Sequence, residues 1–102
     1  MIKIAIKRDE SKDIITSIEV KGHAGKDAYG KDLVCAAVSA IMTGGMNALL
    51  GTDYQFILEE GHALIKSLDL PSEYDAVVLK TIEIQLRTIE EAEKEFVQVK
   101  NL

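Results

Sequence analysis

Gly22-His23-Ala24-Gly25-Lys26-Asp27-Ala28-Tyr29-Gly30-Lys31-Asp32-Leu33-Val34-Cys35-Ala36-Ala37-Val38-Ser39 carries the chain out of one kind of secondary structure and into another. Ahead of it, residues 14 to 21 alternate Ile14, Thr16, Ile18 and Val20 with a more polar set, the period of a half-buried strand. Beyond it, from Leu33 to about Leu50, the chain has no charged residue and reads as a helix. Between the two lies a loop rich in glycine and charge. A strand handing over to a helix makes the class mixed α and β.

The flanking sequence completes the order. Residues 2 to 8 set Ile2, Ile4 and Ile6 against Lys3, Ala5 and Lys7, a second strand joined to the first through the polar run Asp9 to Asp13. Tyr54 to Glu59 and Ala63 to Leu68 read as another hairpin, turning at Glu60-Gly61. Tyr74, Val78, Ile82, Leu86 and Ile89 recur at helical spacing behind the start signals Pro71-Ser72 and Asp75, and Phe96 to Val99 form a short last strand. The expectation is one α+β domain over residues 1–102, β-β-α-β-β-α-β, with a mixed sheet packed by two helices. Val77 and Ile84 widen the second helix's apolar stripe beyond what one sheet face needs, which a partner subunit or a broad helix face explains.

The first helix poses a choice. Its uncharged run through Thr52 reaches the length of a membrane span, but Ser39, Thr43, Asn47 and the Gly44-Gly45 pair make it weakly apolar. A buried central helix fits better, with Ala36, Ala40 and Gly44 permitting close backbone approach.

With 102 residues, 47% of them apolar, the chain suffices for one modest core. A single cysteine cannot form an internal disulfide, and no charged segment precedes an apolar one at the start, so the expected compartment is the cytoplasm. Net charge is −5, divided as seven Lys or Arg against six Asp or Glu in residues 1–51 and five against eleven in residues 52–102. That balance argues against nucleic-acid binding by charge alone.

Chemistry concentrates at His23 and Cys35, twelve residues apart. With Asp32 as N-cap, Cys35 falls in the first helical turn, where unpaired backbone N–H groups favour a thiolate and can receive an oxyanion. The end of a strand and the start of the following helix can share one sheet edge, which brings imidazole to thiol. Asp32 conflicts with this, since its carboxylate at the same helix end opposes the thiolate. Ser39 follows Cys35 by one turn on the same face. As isolated residues, Cys35 also reads as a small buried hydrophobe and His23 as a surface residue at a strand end.

The stretch resembles the signature of the ribosomal-processing cysteine proteases through Gly22-His23-Ala24, Gly30-Lys31-Asp32 and Cys35-Ala36-Ala37-Val38-Ser39. The resemblance implies a Cys-His endopeptidase that removes a short N-terminal extension, with a Phe-Phe-Ala-like junction, from ribosomal large-subunit protein twenty-seven. Carried onto this chain, Cys35 is the nucleophile and His23 the base, with Asp32 and Ser39 in support. Gly22, Ala24, Gly25, Tyr29 and Gly30, with Lys26 and Lys31, form a loop able to close over a peptide and to order on binding it. A homodimer is expected, with no cofactor, no metal, no membrane and no direct nucleic-acid partner.

Other readings are weaker. Gly25, Gly30 and Lys31 echo a phosphate-binding loop, but Asp32 stands where a hydroxyl is needed. Cys35, His23 and the distant His62 lack paired zinc-ligand spacing, and His62 reads as a solvated hairpin residue. A noncatalytic ribosome-associated adaptor with structural Cys and His is the alternative from another class.

Overall fold

The computed structural model describes residues 1–23 and 29–102, with backbone alone over residues 29–32. Its elements are β1 (Ile2–Asp9), β2 (Ile14–Gly22), α1 (Tyr29–Ala48), β3 (Tyr54–Glu59), β4 (His62–Ser67), α2 (Glu73–Ala92) and β5 (Val97–Asn101). They follow the order expected from sequence. The strands form one five-stranded sheet in the order β3-β4-β2-β1-β5, antiparallel except where β5 runs parallel to β1. No described helix is long and apolar enough to cross a membrane.

Strand alternation decides which face is packed. Ile2, Ile4 and Ile6 of β1 are buried, as are Ile18 and Val20 opposite them on β2 and Ala63 and Ile65 on β4. The alternation expected through Ile14 and Thr16 fails. A bulge between Lys7 and Arg8 slips the pairing so that Ile15, not Thr16, turns into the core at 3% exposure. Both helices lie on this packed face, leaving the opposite face of the sheet open.

Helix α1 covers the sheet with one side only. Val34, Val38 and Met42 are buried, whereas Ala36, Ala40 and Gly44 face outward, so it is not a central buried helix. The close approach occurs at Gly45, where a Cβ would run into the Ile82 side chain of α2. Ala40 and Gly44 of this outward stripe, with Tyr74 and Val77 of α2, wall an apolar groove of about 660 Å³. Helix α2 starts as the sequence suggests, Ser72 accepting from the Asp75 backbone N–H at 3.2 Å.

Two buried carboxylates knit the elements. Asp75, 1% exposed, accepts from the Leu50 and Gly51 N–H groups, both at 2.9 Å, and from the Tyr54 hydroxyl at 2.8 Å. It therefore joins the end of α1, the edge strand β3 and the start of α2. Glu83, on the buried side of α2, receives Arg8 from β1 together with Arg87 at 3.1 Å and Lys80 at 3.2 Å.

Burial alone would raise the Glu83 carboxyl, but the hydrogen bonds from Arg8, Arg87 and Lys80 pull it down to about 2. A carboxyl depressed on folding stabilises the fold fully above its unfolded value of 4.5 and loses that contribution as pH falls through about 2. The expected loss is on the order of 3 kcal/mol between those limits. Urea unfolding of wild type and Glu83→Gln checks it: the two stabilities should converge as pH falls from 5 towards 2, and a constant gap would remove Glu83 from the acid response.

Candidate active site

The site lies where the end of β2 meets the β3–β4 turn. Gly22 closes β2 at φ +98, and its N–H donates to the Gly61 carbonyl at 3.0 Å. Gly61 sits at φ +76 in the turn, a conformation that side-chain-bearing residues rarely adopt. These two glycines bring the residue after β2 over the hairpin turn. That residue is His23, whose carbonyl also accepts from the Met1 nitrogen at 2.6 Å.

The imidazole rests on Gly61. A Cβ at Gly61 would lie 2.9 Å from His23 Nε2 and 3.1 Å from Cε1, so the turn has room for the ring because it has no side chain. Sequence reading saw only a turn at Glu60-Gly61. Gly61→Asn, which tolerates positive φ but carries a Cβ, is expected to lower kcat about tenfold or more with far less effect on stability. Stopped peptide assays beside thermal melts check this, and an unchanged kcat in a folded variant would free His23 from dependence on the turn.

Cys35 is half-buried on α1 and lines the same cleft as His23, a space of about 320 Å³. Ser39, one turn further along α1 and exposed, lines it as well. Leu58 contributes an apolar wall, 51% exposed because β3 is an edge strand that the helices do not cover. Period-two reading of β3 puts Leu58 on the packed side, but sequence does not reveal that this edge is uncovered.

The helix start differs from expectation in a way that matters. α1 begins at Tyr29, so Gly30, Lys31 and Asp32 are helical and Cys35 is the seventh residue rather than a first-turn residue. Unpaired N–H groups and the dipole act over the first turn only, so Asp32 is not the N-cap and Cys35 does not draw on the helix end. The uncharged pattern that located the helix at Leu33 is blind to this, because Tyr29 to Asp32 extend it with polar and charged residues. Residues 24–28, including the expected substrate-loop residues Ala24 and Gly25, lie outside the described residues, as do the side chains of Tyr29 and Asp32.

His62 is also displaced from expectation. It opens β4 half-buried, with Nε2 2.8 Å from Glu19 Oε2 on the neighbouring strand. Among the described residues no group of three His, Cys, Asp or Glu could hold a metal ion.

The family model described as cysteine protease Prp matches residues 1–98. The chain belongs to the Prp family. It is 34% identical over 96 residues to the ribosomal processing cysteine protease Prp of Staphylococcus aureus, covering 89% of each chain. The Prp of Bacillus subtilis is 44% identical over 50 residues, 49% of this chain and 44% of that one. The fold superposes on an S. aureus Prp crystal structure holding a covalently linked product peptide at TM-score 0.88, with 30% identity and full coverage of both chains. It superposes equally well, at 28% identity, on the same Prp in complex with a substrate peptide. Like other Prp chains, this one is a cysteine protease, of the ribosomal-processing class.

Proposed function

We propose that this protease removes the short N-terminal extension of ribosomal large-subunit protein twenty-seven in the cytoplasm, using Cys35 as nucleophile and His23 as base. The observation that supports it most is that the chain's single cysteine and His23 line one cleft. Cys35 Sγ attacks the scissile carbonyl carbon as His23 takes the thiol proton, and His23 returns a proton to the departing amine. Water, deprotonated by His23, then attacks the thioester and releases the new carboxyl end. Ser39 offers a hydroxyl to the bound peptide, and Asp32 supports the site from the first turns of α1. Gly22, Ala24, Gly25, Tyr29 and Gly30 belong to the segment that closes over the substrate.

Leu58 gives the cleft an apolar wall suited to an aromatic side chain of the extension. The test is mass spectrometry of the host's ribosomal protein before and after incubation with the chain, beside a version with Phe replaced by Ala in the extension and a scrambled extension. Cleavage of the authentic junction, strongly reduced in the other two, supports the processing role. Equal rates on all three leave a general thiol peptidase.

A second copy of the chain is proposed to cover the groove between α1 and α2. Tyr74, Val77 and Ile84 stay exposed on α2, Val77 at 66%, which is costly for a helix with no partner. Light scattering reads the state directly, and a monomer at micromolar concentration would dismiss it.

A further inference from the structure

We propose that the open face of the sheet, opposite the helices and the cleft, is a docking surface for the phosphate backbone of RNA. Strand register fixes what that face displays. One row across the sheet reads His62, Lys21, Lys3, Gln98; the next reads Leu64, Glu19, Ala5, Lys100; the third reads Lys66, Ser17, Lys7. All five lysines are exposed. Against them the strands set only Asp9, Glu19 and Glu59 on this side, so the face carries +2 in a chain whose net charge is −5. The rest of the molecule is correspondingly acidic, at −7. Counting charge by halves of the sequence hides this segregation, because alternate residues of four different strands build it.

Two features separate this face from an ordinary solvated one. Lys3 and Lys21 stand directly opposite each other on antiparallel strands, a like-charge pairing that costs stability and that Glu19 eases only through a loose ion pair with Lys21 at 3.8 Å. In addition, a basin of about 300 Å³ opens between Lys7 and Lys66, bordered by Thr16, Ser17 and Gln55, whose side chains can donate to phosphate oxygens. Glu19 also borders it, with its charge engaged by His62 at 2.8 Å and Lys21 at 3.8 Å.

The breadth of the array selects the occupant. Lysines on four strands about 4.8 Å apart, in rows about 7 Å apart, suit several successive phosphates rather than one. The five strands place no exposed large apolar side chain on this side, and Leu102, which borders the basin, is a single apolar side chain, too little to drive insertion into a lipid surface. The surface does not depend on the peptidase reading, and binding and cleavage are measured separately.

The experiment is fluorescence anisotropy of a labelled single-stranded RNA oligonucleotide titrated with the full chain at about 50 and 200 mM salt. Wild type should bind, with an affinity falling steeply with salt. Lys7→Glu with Lys66→Glu should weaken binding about tenfold or more and flatten the salt slope by about 0.7 per lost contact. Lys12→Glu with Lys94→Glu, an equal charge change away from this face, should change it by no more than about threefold. Circular dichroism and unchanged cleavage of a short peptide show that the Lys7 and Lys66 variant is folded. No binding by wild type at the lower salt, equal loss in both double variants, or binding to phosphatidylserine vesicles without binding to RNA would each overturn the proposal.

Discussion

Cys35→Ala is expected to reduce peptide turnover by about four orders of magnitude or more, and His23→Ala to do nearly as much. A nucleophile and its base act as one unit, so the double variant should be no slower than Cys35→Ala alone. Stability should barely move, because Cys35 is only half-buried and His23 is exposed. The measurement is initial rates on a fluorogenic peptide spanning the extension's junction, with far-ultraviolet circular dichroism on each variant. Cys35→Ala turning over within about tenfold of wild type would end the assignment of Cys35 as nucleophile. A dead Cys35→Ala beside an active His23→Ala would keep the thiol and dismiss this base.

Asp75→Ala should cost the fold about 3–5 kcal/mol, a large part of the net stability of a chain this size. Burial would raise the Asp75 carboxyl, but its three donors, the Leu50 and Gly51 N–H groups and the Tyr54 hydroxyl, hold it below the usual carboxylate range. Tyr54 is raised in turn, by its burial and by its bond to Asp75. Removing the carboxylate strands three donors at the point where α1, β3 and α2 meet. Tyr54→Phe should cost about 1–2 kcal/mol, and much less in the Asp75→Ala background, since both remove the same bond. Urea denaturation reads these values. A loss below about 1 kcal/mol for Asp75→Ala would show that the helix ends hold without it.

The sequence made the element order legible because its strands and second helix keep clean periods, as in Ile2, Ile4, Ile6 and in Tyr74, Val78, Ile82. Strand order was not legible, since nothing local says that β5 pairs with β1 while β3 stands at the other edge. Hydrophobic pattern also misplaced the start of α1, which Tyr29 to Asp32 begin without apolar periodicity. The same limit misread the glycine pair: Gly45, not Gly44, meets the second helix, a choice that only the crossing geometry makes. At the site, residue identity pointed to His23 and Cys35. Gly61 and Leu58 escaped because their relevance comes from being brought beside residues far away in the sequence.

The parallel pairing of β5 with β1 has a consequence for the order of assembly. Ile2 sits opposite Val97, and the Ile2 N–H donates to the Phe96 carbonyl at 2.7 Å, so the first strand acquires its second neighbour from a strand made long after it. The two hairpins close over short loops and can form early, whereas this pairing must pay the closure entropy of all the residues between β1 and β5. During synthesis the cleft's own residues, all within the first two thirds of the sequence, emerge before the strand that locks their sheet. The nascent chain is therefore expected to gain peptidase activity only after residues 97–101 leave the ribosome. Arrested chains of increasing length, assayed for thiol-dependent cleavage, would contradict this by showing full activity with α2 complete and β5 still unmade.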